Sequence, residues 1–183
     1  MDFKTVLDLM IKDFDEAKVR YGLIGGFDLG VLGAPRSTVD LDFLINRDDL
    51  HKMEHIMQSH GYECVYKSDN VSQYISRLKI FGEVDFIHAF RQASLGMLDR
   101  ATEIDIFDGK LKIKVLKPAD IIGLKLQAVT NDPVRTNQEL IDIEAIMNVH
   151  RSSLDWNLVE EYFSIFEQKE KFLELRKKYH DVK

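Results

Sequence analysis

Two aspartates one residue apart, Asp40 and Asp42, lie in the stretch Val39-Asp40-Leu41-Asp42-Phe43-Leu44-Ile45, which alternates apolar and acidic residues before turning wholly apolar. In a strand, side chains two residues apart share one face and stand roughly 6.6 Å apart along the chain. Asp40 and Asp42 are therefore expected to point the same way, with Val39, Leu41 and Phe43 directed into the opposite layer. Two ionised carboxylates side by side repel and raise each other's pKa unless a cation lies between them. A divalent metal that takes oxygen ligands is the natural remedy.

The elements that must position this pair lie immediately upstream. Tyr21-Gly22-Leu23-Ile24 is a short apolar run stopped by Gly25 and Gly26, a strand-then-turn signal. Phe27 to Gly33 has helical spacing of Phe27, Leu29, Val31 and Leu32, and Gly33-Ala34-Pro35 ends it. Thirteen residues separate Gly26 from Asp40. Thr38 shares the face of the aspartates and has a hydroxyl to donate to a carboxylate or a phosphate. The glycines let a backbone approach phosphate closely, and a helix start offers free N–H groups. A dinucleotide-binding glycine fingerprint would instead place its acidic residue about twenty positions downstream, on the ribose, and not in an Asp-x-Asp strand.

Gly-Gly followed by Asp-x-Asp in a strand resembles the polymerase-beta-like, or minimal, nucleotidyltransferase superfamily. Arg36-x-Thr38-x-Asp40-x-Asp42 is similar to the AbiEii/AbiGii-type toxin nucleotidyltransferases within it. The resemblance implies a third carboxylate on a later strand, and Val84-Asp85-Phe86 is the match; Glu83, on the same strand face, is a rival. It further implies nucleoside monophosphate transfer from a triphosphate such as ATP. Two Mg2+ or Mn2+ ions would be held by Asp40, Asp42 and Asp85, the last chiefly on the acceptor side. Gly25, Gly26, Arg36 and Thr38 fall at its nucleotide-binding positions. Leu124-Lys125-Leu126 looks like the segment that carries a functional lysine in AbiEii-type relatives. Arg135 followed by Glu139-Leu140-Ile141-Asp142-Ile143 looks like their Arg…Asp-Leu-x-Asp-Ile segment. By analogy Lys125 would bind triphosphate, and Asp142 would orient Lys125 or activate an acceptor. From the residues alone, Lys125 is as readily a lysine whose stem snorkels out of an apolar helix, and Asp142 an exposed helical residue. Asp28 and Glu139 depart from the pattern, where relatives carry a small apolar residue and an aspartate. An anion at Asp28 would repel nucleotide unless it turns away or joins the metal shell.

The rest of the chain supplies the frame. Phe3, Val6, Leu7, Met10, Ile11 and Phe14 form the stripe of a first helix. Residues 47–60 form a helix with Asp48 as its N-cap and Gly61 as its stop. Residues 62–66, 71–80 and 83–89 read as strands, and Asp108-Gly109 as a two-residue hairpin turn between two more. Helices follow from Pro118, from Gln138 and from Asp155. The expected architecture is α+β, or α/β-like, with a mixed-sheet nucleotidyltransferase core at 1–117 and a C-terminal helical bundle packed on it at 118–183.

The bulk properties limit the function classes. The formal net charge of −6 argues against a broadly basic nucleic-acid surface. The single Cys64 excludes an internal disulfide framework. Charged residues through the first twenty positions do not suit a signal peptide, and no apolar run reaches the eighteen or so residues of a membrane span. A cytoplasmic nucleotidyltransferase is expected, with a nucleoside triphosphate and an RNA, protein or small-molecule acceptor as partners. A cognate antitoxin is a further expected partner if the protein is a toxin. A catalytically silent nucleotide-binding or interaction module of the same fold is the alternative.

Overall fold

The structure, a computed structural model, describes residues 1–181. The chain divides into two compact units, residues 1–31 with 35–116, and residues 32–34 with the segment from Lys117 onward. Among the described residues there are eight α-helices and seven strands.

In the first unit, Asp2 opens helix α1 (Phe3–Glu16) by accepting from Thr5 N at 3.2 Å. The expected stripe of α1 buries Val6, Leu7, Met10, Ile11 and Phe14. Strand β1 (Tyr21–Ile24) passes directly into α2 (Gly25–Val31), with Gly25 at φ +78° making the turn in one residue. The helix thus starts two residues earlier than the sequence spacing indicates. Strand β2 (Asp40–Asn46) leads into a 3-10 turn and α3 (Leu50–Ser59). Strands β3 (Tyr62–Lys67), β4 (Val71–Ser76) and β5 (Glu83–Ala89) come next, followed by α4 (Gln92–Arg100), β6 (Thr102–Ile106) and β7 (Leu111–Val115).

The seven strands form one mixed sheet in the order β3-β4-β5-β2-β1-β7-β6. β2 runs parallel to β5 and antiparallel to β1, so the two acid-bearing strands are neighbours in the interior of the sheet. Their odd-numbered β2 residues Leu41 and Phe43, with Val84 and Phe86 of β5, are fully buried on one face. There Phe43 stacks on Phe86 at 5.8 Å, and Phe14 of α1 meets Tyr21, Phe43 and Phe86 at 5.3, 5.9 and 6.3 Å. This aromatic cluster anchors the strands from behind, since truncating one such ring typically costs about 3–5 kcal/mol.

Several local expectations are corrected. Val39 is 78 % exposed, because the β2 ladder begins only at the Asp40–Glu83 pair and Val39 precedes it. The N-cap after β2 is Asn46, which accepts from Asp48 N, rather than Asp48. β4 ends at Ser76, leaving Leu78 and Ile80 exposed. The hairpin between β6 and β7 spans four residues, with Phe107, Asp108 and Gly109 all at positive φ, so Asp108-Gly109 is not a two-residue loop.

The second unit holds α5 (Pro118–Asn131), α6 (Thr136–His150), α7 (Trp156–Ile165) and α8 (Lys169–Tyr179). Pro118 starts α5 at its first turn. Gly123 admits the Tyr162 ring, which would lie 2.9 Å from any Cβ there, and Tyr162 donates its hydroxyl to buried Asp120 at 2.7 Å. His150 of α6 bonds the Leu32 carbonyl at 2.8 Å, which fixes the short 32–34 segment within this unit.

Candidate active site

The residues that carry the acidic motif stand on the face of the sheet opposite the aromatic cluster. The parallel register pairs Asp42 with Asp85 and Asp40 with Glu83, so four acidic residues form a two-by-two array on adjacent strands. Neighbouring strands lie about 4.8 Å apart, so Asp42 and Asp85 flank one another closely. The sequence joined Asp85 to Asp40 and Asp42 only through the family resemblance; the register does so by geometry. It also seats Glu83 beside Asp40, with the Leu41–Val84 pair between that row and Asp42–Asp85.

Gly25 closes on this array from β1. A Cβ at Gly25 would lie 1.9 Å from Asp42 Oδ2. A Cβ at Gly26 would lie 2.7 Å from Thr38 Oγ1 and 3.1 Å from the Arg36 guanidinium carbon. The glycine pair is therefore packed against three of the residues its spacing singled out. Thr38 precedes β2 and donates to Asp40 Oδ1 at 2.5 Å, one of the two roles expected of its hydroxyl. Arg36 is exposed and donates to the Ser37 carbonyl at 3.1 Å.

Asp85 is held differently. Gln73 Nε2 donates to its Oδ2 at 3.1 Å, while Oδ1 is buried and meets no hydrogen-bond donor among the described residues. Burial pushes the Asp85 carboxyl above the ordinary carboxylate range, Gln73 opposes this, and the charges of Glu83 and Asp40 add to it. Gln73 is a residue that sequence reasoning missed. The signal was the β4–β5 hairpin register, which sets Gln73 directly opposite Asp85 but is not legible before the loop between the strands is known. Among the described residues no group of three or more His, Cys, Asp or Glu side chains is placed to hold a metal ion by itself.

Asp28, the departure from the family pattern, is fully buried in α2. His88 has a structural setting on the aromatic side of the sheet, between Ser72 Oγ at 2.9 Å and the Asp69 carbonyl at 3.1 Å.

Lys125 and Asp142 belong to the second unit and meet each other there. Lys125 is buried in α5, and its ammonium donates to Asp142 Oδ2 at 2.6 Å and Glu139 Oε2 at 2.9 Å, both on α6. Arg135 reaches the other Glu139 oxygen at 2.5 Å, and Gln138 donates to Asp142 Oδ1 at 2.9 Å. Lys125 therefore does not snorkel to solvent, and Asp142 is not an exposed helical residue; the two charges are buried because each has a partner.

No protein-family model and no curated protein matches the chain. Solved structures do. ANT(2'')-Ia, an antibiotic-resistance factor, matches with a TM-score of 0.67 at 16 % identity, over 98 % of this chain and 100 % of its own. An antigenic nucleotidyltransferase-like protein from Paracoccidioides brasiliensis matches with a TM-score of 0.59 at 19 % identity, over 98 % and 93 %. The lincosamide antibiotic adenylyltransferase LnuA, bound to lincomycin, matches with a TM-score of 0.56 at 16 % identity, over 80 % and 97 %. The chain has a nucleotidyltransferase fold. Within that fold, the likeness to the AbiEii/AbiGii-type subgroup rests on the sequence motifs alone.

Proposed function

We propose that this chain is a metal-dependent nucleotidyltransferase, moving a nucleoside monophosphate from a triphosphate to an acceptor and releasing pyrophosphate. The observation that carries the reading is the Asp42–Asp85 register, with Gly25 set against the Asp42 carboxylate, in a nucleotidyltransferase fold. The donor set is all oxygen, and the buried Asp85 Oδ1 lacks a donor among the described residues, which suits a hard divalent cation. Magnesium is usually bound through one or two carboxylates together with substrate phosphates, so it does not require a complete protein cage. What such ions supply when bound is charge neutralisation at the attacking and leaving oxygens of the displacement.

The chain's own residues then divide the work. Asp40 and Asp42 would hold the nucleotide-side ion and share the acceptor-side ion with Asp85. Thr38 fixes the Asp40 carboxylate through a neutral donor that adds no competing charge. Gly25 and Gly26 let phosphate approach the backbone. Arg36, whose guanidinium lies beside Gly26, would contact phosphate or pair with Asp40 or Asp42. In the second unit, Asp142 and Glu139 hold the Lys125 ammonium, which fits the orienting role for Asp142.

Two finer readings rest on separate observations. The Arg36-x-Thr38-x-Asp40-x-Asp42 motif supports an AbiEii/AbiGii-type toxin opposed by a cognate antitoxin. The likeness to LnuA, a lincosamide antibiotic adenylyltransferase, and to ANT(2'')-Ia, an antibiotic-resistance factor, with the net charge of −6, favours a small-molecule acceptor over RNA. The test is incubation of the protein and Asp42→Ala with alpha-labelled ATP, CTP, GTP or UTP and Mg2+ or Mn2+. Total tRNA, cell protein and an aminoglycoside and lincosamide panel serve as acceptors. Label transfer by the unmodified protein alone is expected, and the labelled acceptor names its class. Metal-dependent nucleotide binding without transfer to any acceptor would instead establish a silent module, and neither binding nor transfer would sink the assignment.

A further inference from the structure

We infer that Gln73 is a positioning residue that fixes one oxygen of Asp85 and reserves the other for a cation, an inference that rests on the nucleotidyltransferase reading. Gln73 faces Asp85 directly across the antiparallel β4–β5 pair, and its Nε2 donates to Oδ2 at 3.1 Å. An ionised carboxylate only accepts, so the amide nitrogen must be the atom turned toward it. The second oxygen, Oδ1, is buried and meets no donor among the described residues. A buried carboxylate oxygen left in that state is costly, and the neighbouring Glu83 and Asp40 raise the cost by adding like charge.

The residue type matters. A lysine opposite Asp85 would neutralise it and compete with any cation for its oxygens, whereas a glutamate would add a fifth negative charge to the face. Glutamine spans the strand gap and donates without carrying charge. Thr38 does the same for Asp40, its hydroxyl lying 2.5 Å from Oδ1. Both ends of the acidic array are thus fixed by neutral donors, an arrangement that orients carboxylates while preserving their full charge for a ligand. Groups that hold a metal-ligating carboxylate in this way typically change metal affinity about 10- to 100-fold when removed.

The experiment measures Mn2+ binding to the full chain by the loss of the free-ion electron paramagnetic resonance signal, with and without a non-hydrolysable ATP analogue. Thermal unfolding is followed in parallel. The unmodified protein is expected to bind Mn2+, and Asp85→Asn to bind it far more weakly. Gln73→Met, of similar length but without a donor, should weaken binding about 10- to 100-fold and lower the Tm of the metal-free protein. Gln73→Lys should raise the Tm of the metal-free protein while suppressing Mn2+ binding, opposite signs that a merely structural glutamine would not produce. Equal Mn2+ affinity in Gln73→Met and the unmodified protein overturns the inference and leaves the nucleotidyltransferase reading standing. Should Gln73→Met not fold, undiminished binding by Gln73→Lys overturns it equally. Failure of the unmodified protein to bind Mn2+ under either condition overturns both.

Discussion

Gly25 lies against the carboxylate of Asp42 so closely that a Cβ on it would stand 1.9 Å from Oδ2. The same glycine has φ +78°. One residue therefore turns the chain from β1 into α2 and leaves the space in which Asp42 sits. Gly25→Ala should act twice. The left-handed backbone disfavours any Cβ by about 1–2 kcal/mol, and the Asp42 side chain must move as well. The expected result is a lowered urea midpoint together with loss of metal-dependent nucleotide binding. Retained binding at a lowered midpoint would mean that the Asp42 position is not what the glycine protects.

Asp85→Asn should raise the stability of the metal-free protein at neutral pH. Asparagine keeps the shape, removes a half-buried charge whose Oδ1 is buried and meets no donor among the described residues, and relieves repulsion from Glu83 and Asp40. Mn2+ should reverse the order by stabilising the unmodified protein selectively, because only a ligand-competent native state gains from binding. Thermal unfolding of both proteins with and without Mn2+ checks this. A metal-free Asp85→Asn less stable than its parent would show that the charge is better compensated than the geometry indicates.

These two predictions draw on parts of the site that were unequally legible in the sequence. The Asp40-x-Asp42 alternation announced its own face, because strand periodicity is local and Leu41 and Phe43 are indeed buried behind it. The pairing of Asp42 with Asp85 was not local. It depends on a parallel register between strands some forty residues apart, and only the resemblance to a known fold suggested it. Gln73 was silent for a related reason: an uncharged residue in a strand carries no signal until its cross-strand partner is known. The burial of Lys125 was hidden likewise, since an apolar helix with one lysine reads as a snorkelling stem until α6 supplies Glu139 and Asp142.

His88 gives the first unit an acid-sensitive point. Its Nδ1 faces the Asp69 carbonyl and so carries the proton, leaving Nε2 to accept from Ser72. Burial holds the imidazole pKa below its ordinary value. The Asp69 carbonyl and Glu54 oppose this, and the charges of Lys67 and Arg47 add to the lowering. The folded state thus binds the proton less readily than the unfolded chain does. The contribution is present above the ordinary histidine pKa of about 6.5 and is lost as pH falls from there toward the folded value. Urea midpoints at pH 7.5, 6 and 5 should fall for the parent more steeply than for His88→Gln. Parallel slopes would show that the ring accepts a proton in place at no cost.

Lys125 should behave as the keystone of the second unit. Its ammonium meets Asp142 at 2.6 Å and Glu139 at 2.9 Å, and all three side chains are buried. Lys125→Met leaves two carboxylates in the interior without their shared cation, beside Arg135 and Gln138. Removing one partner from a buried ion pair typically costs about 3–5 kcal/mol, whereas replacing the whole set by neutral residues is often close to neutral. The single variant should therefore be strongly destabilised, and adding Glu139→Gln and Asp142→Asn should restore much of the loss. Denaturant unfolding of the single and triple variants measures that recovery. The triple variant also separates the two roles of the cluster: with stability restored, any remaining loss of nucleotidyl transfer is attributable to the lost charges of Lys125, Glu139 and Asp142 and not to the fold they support.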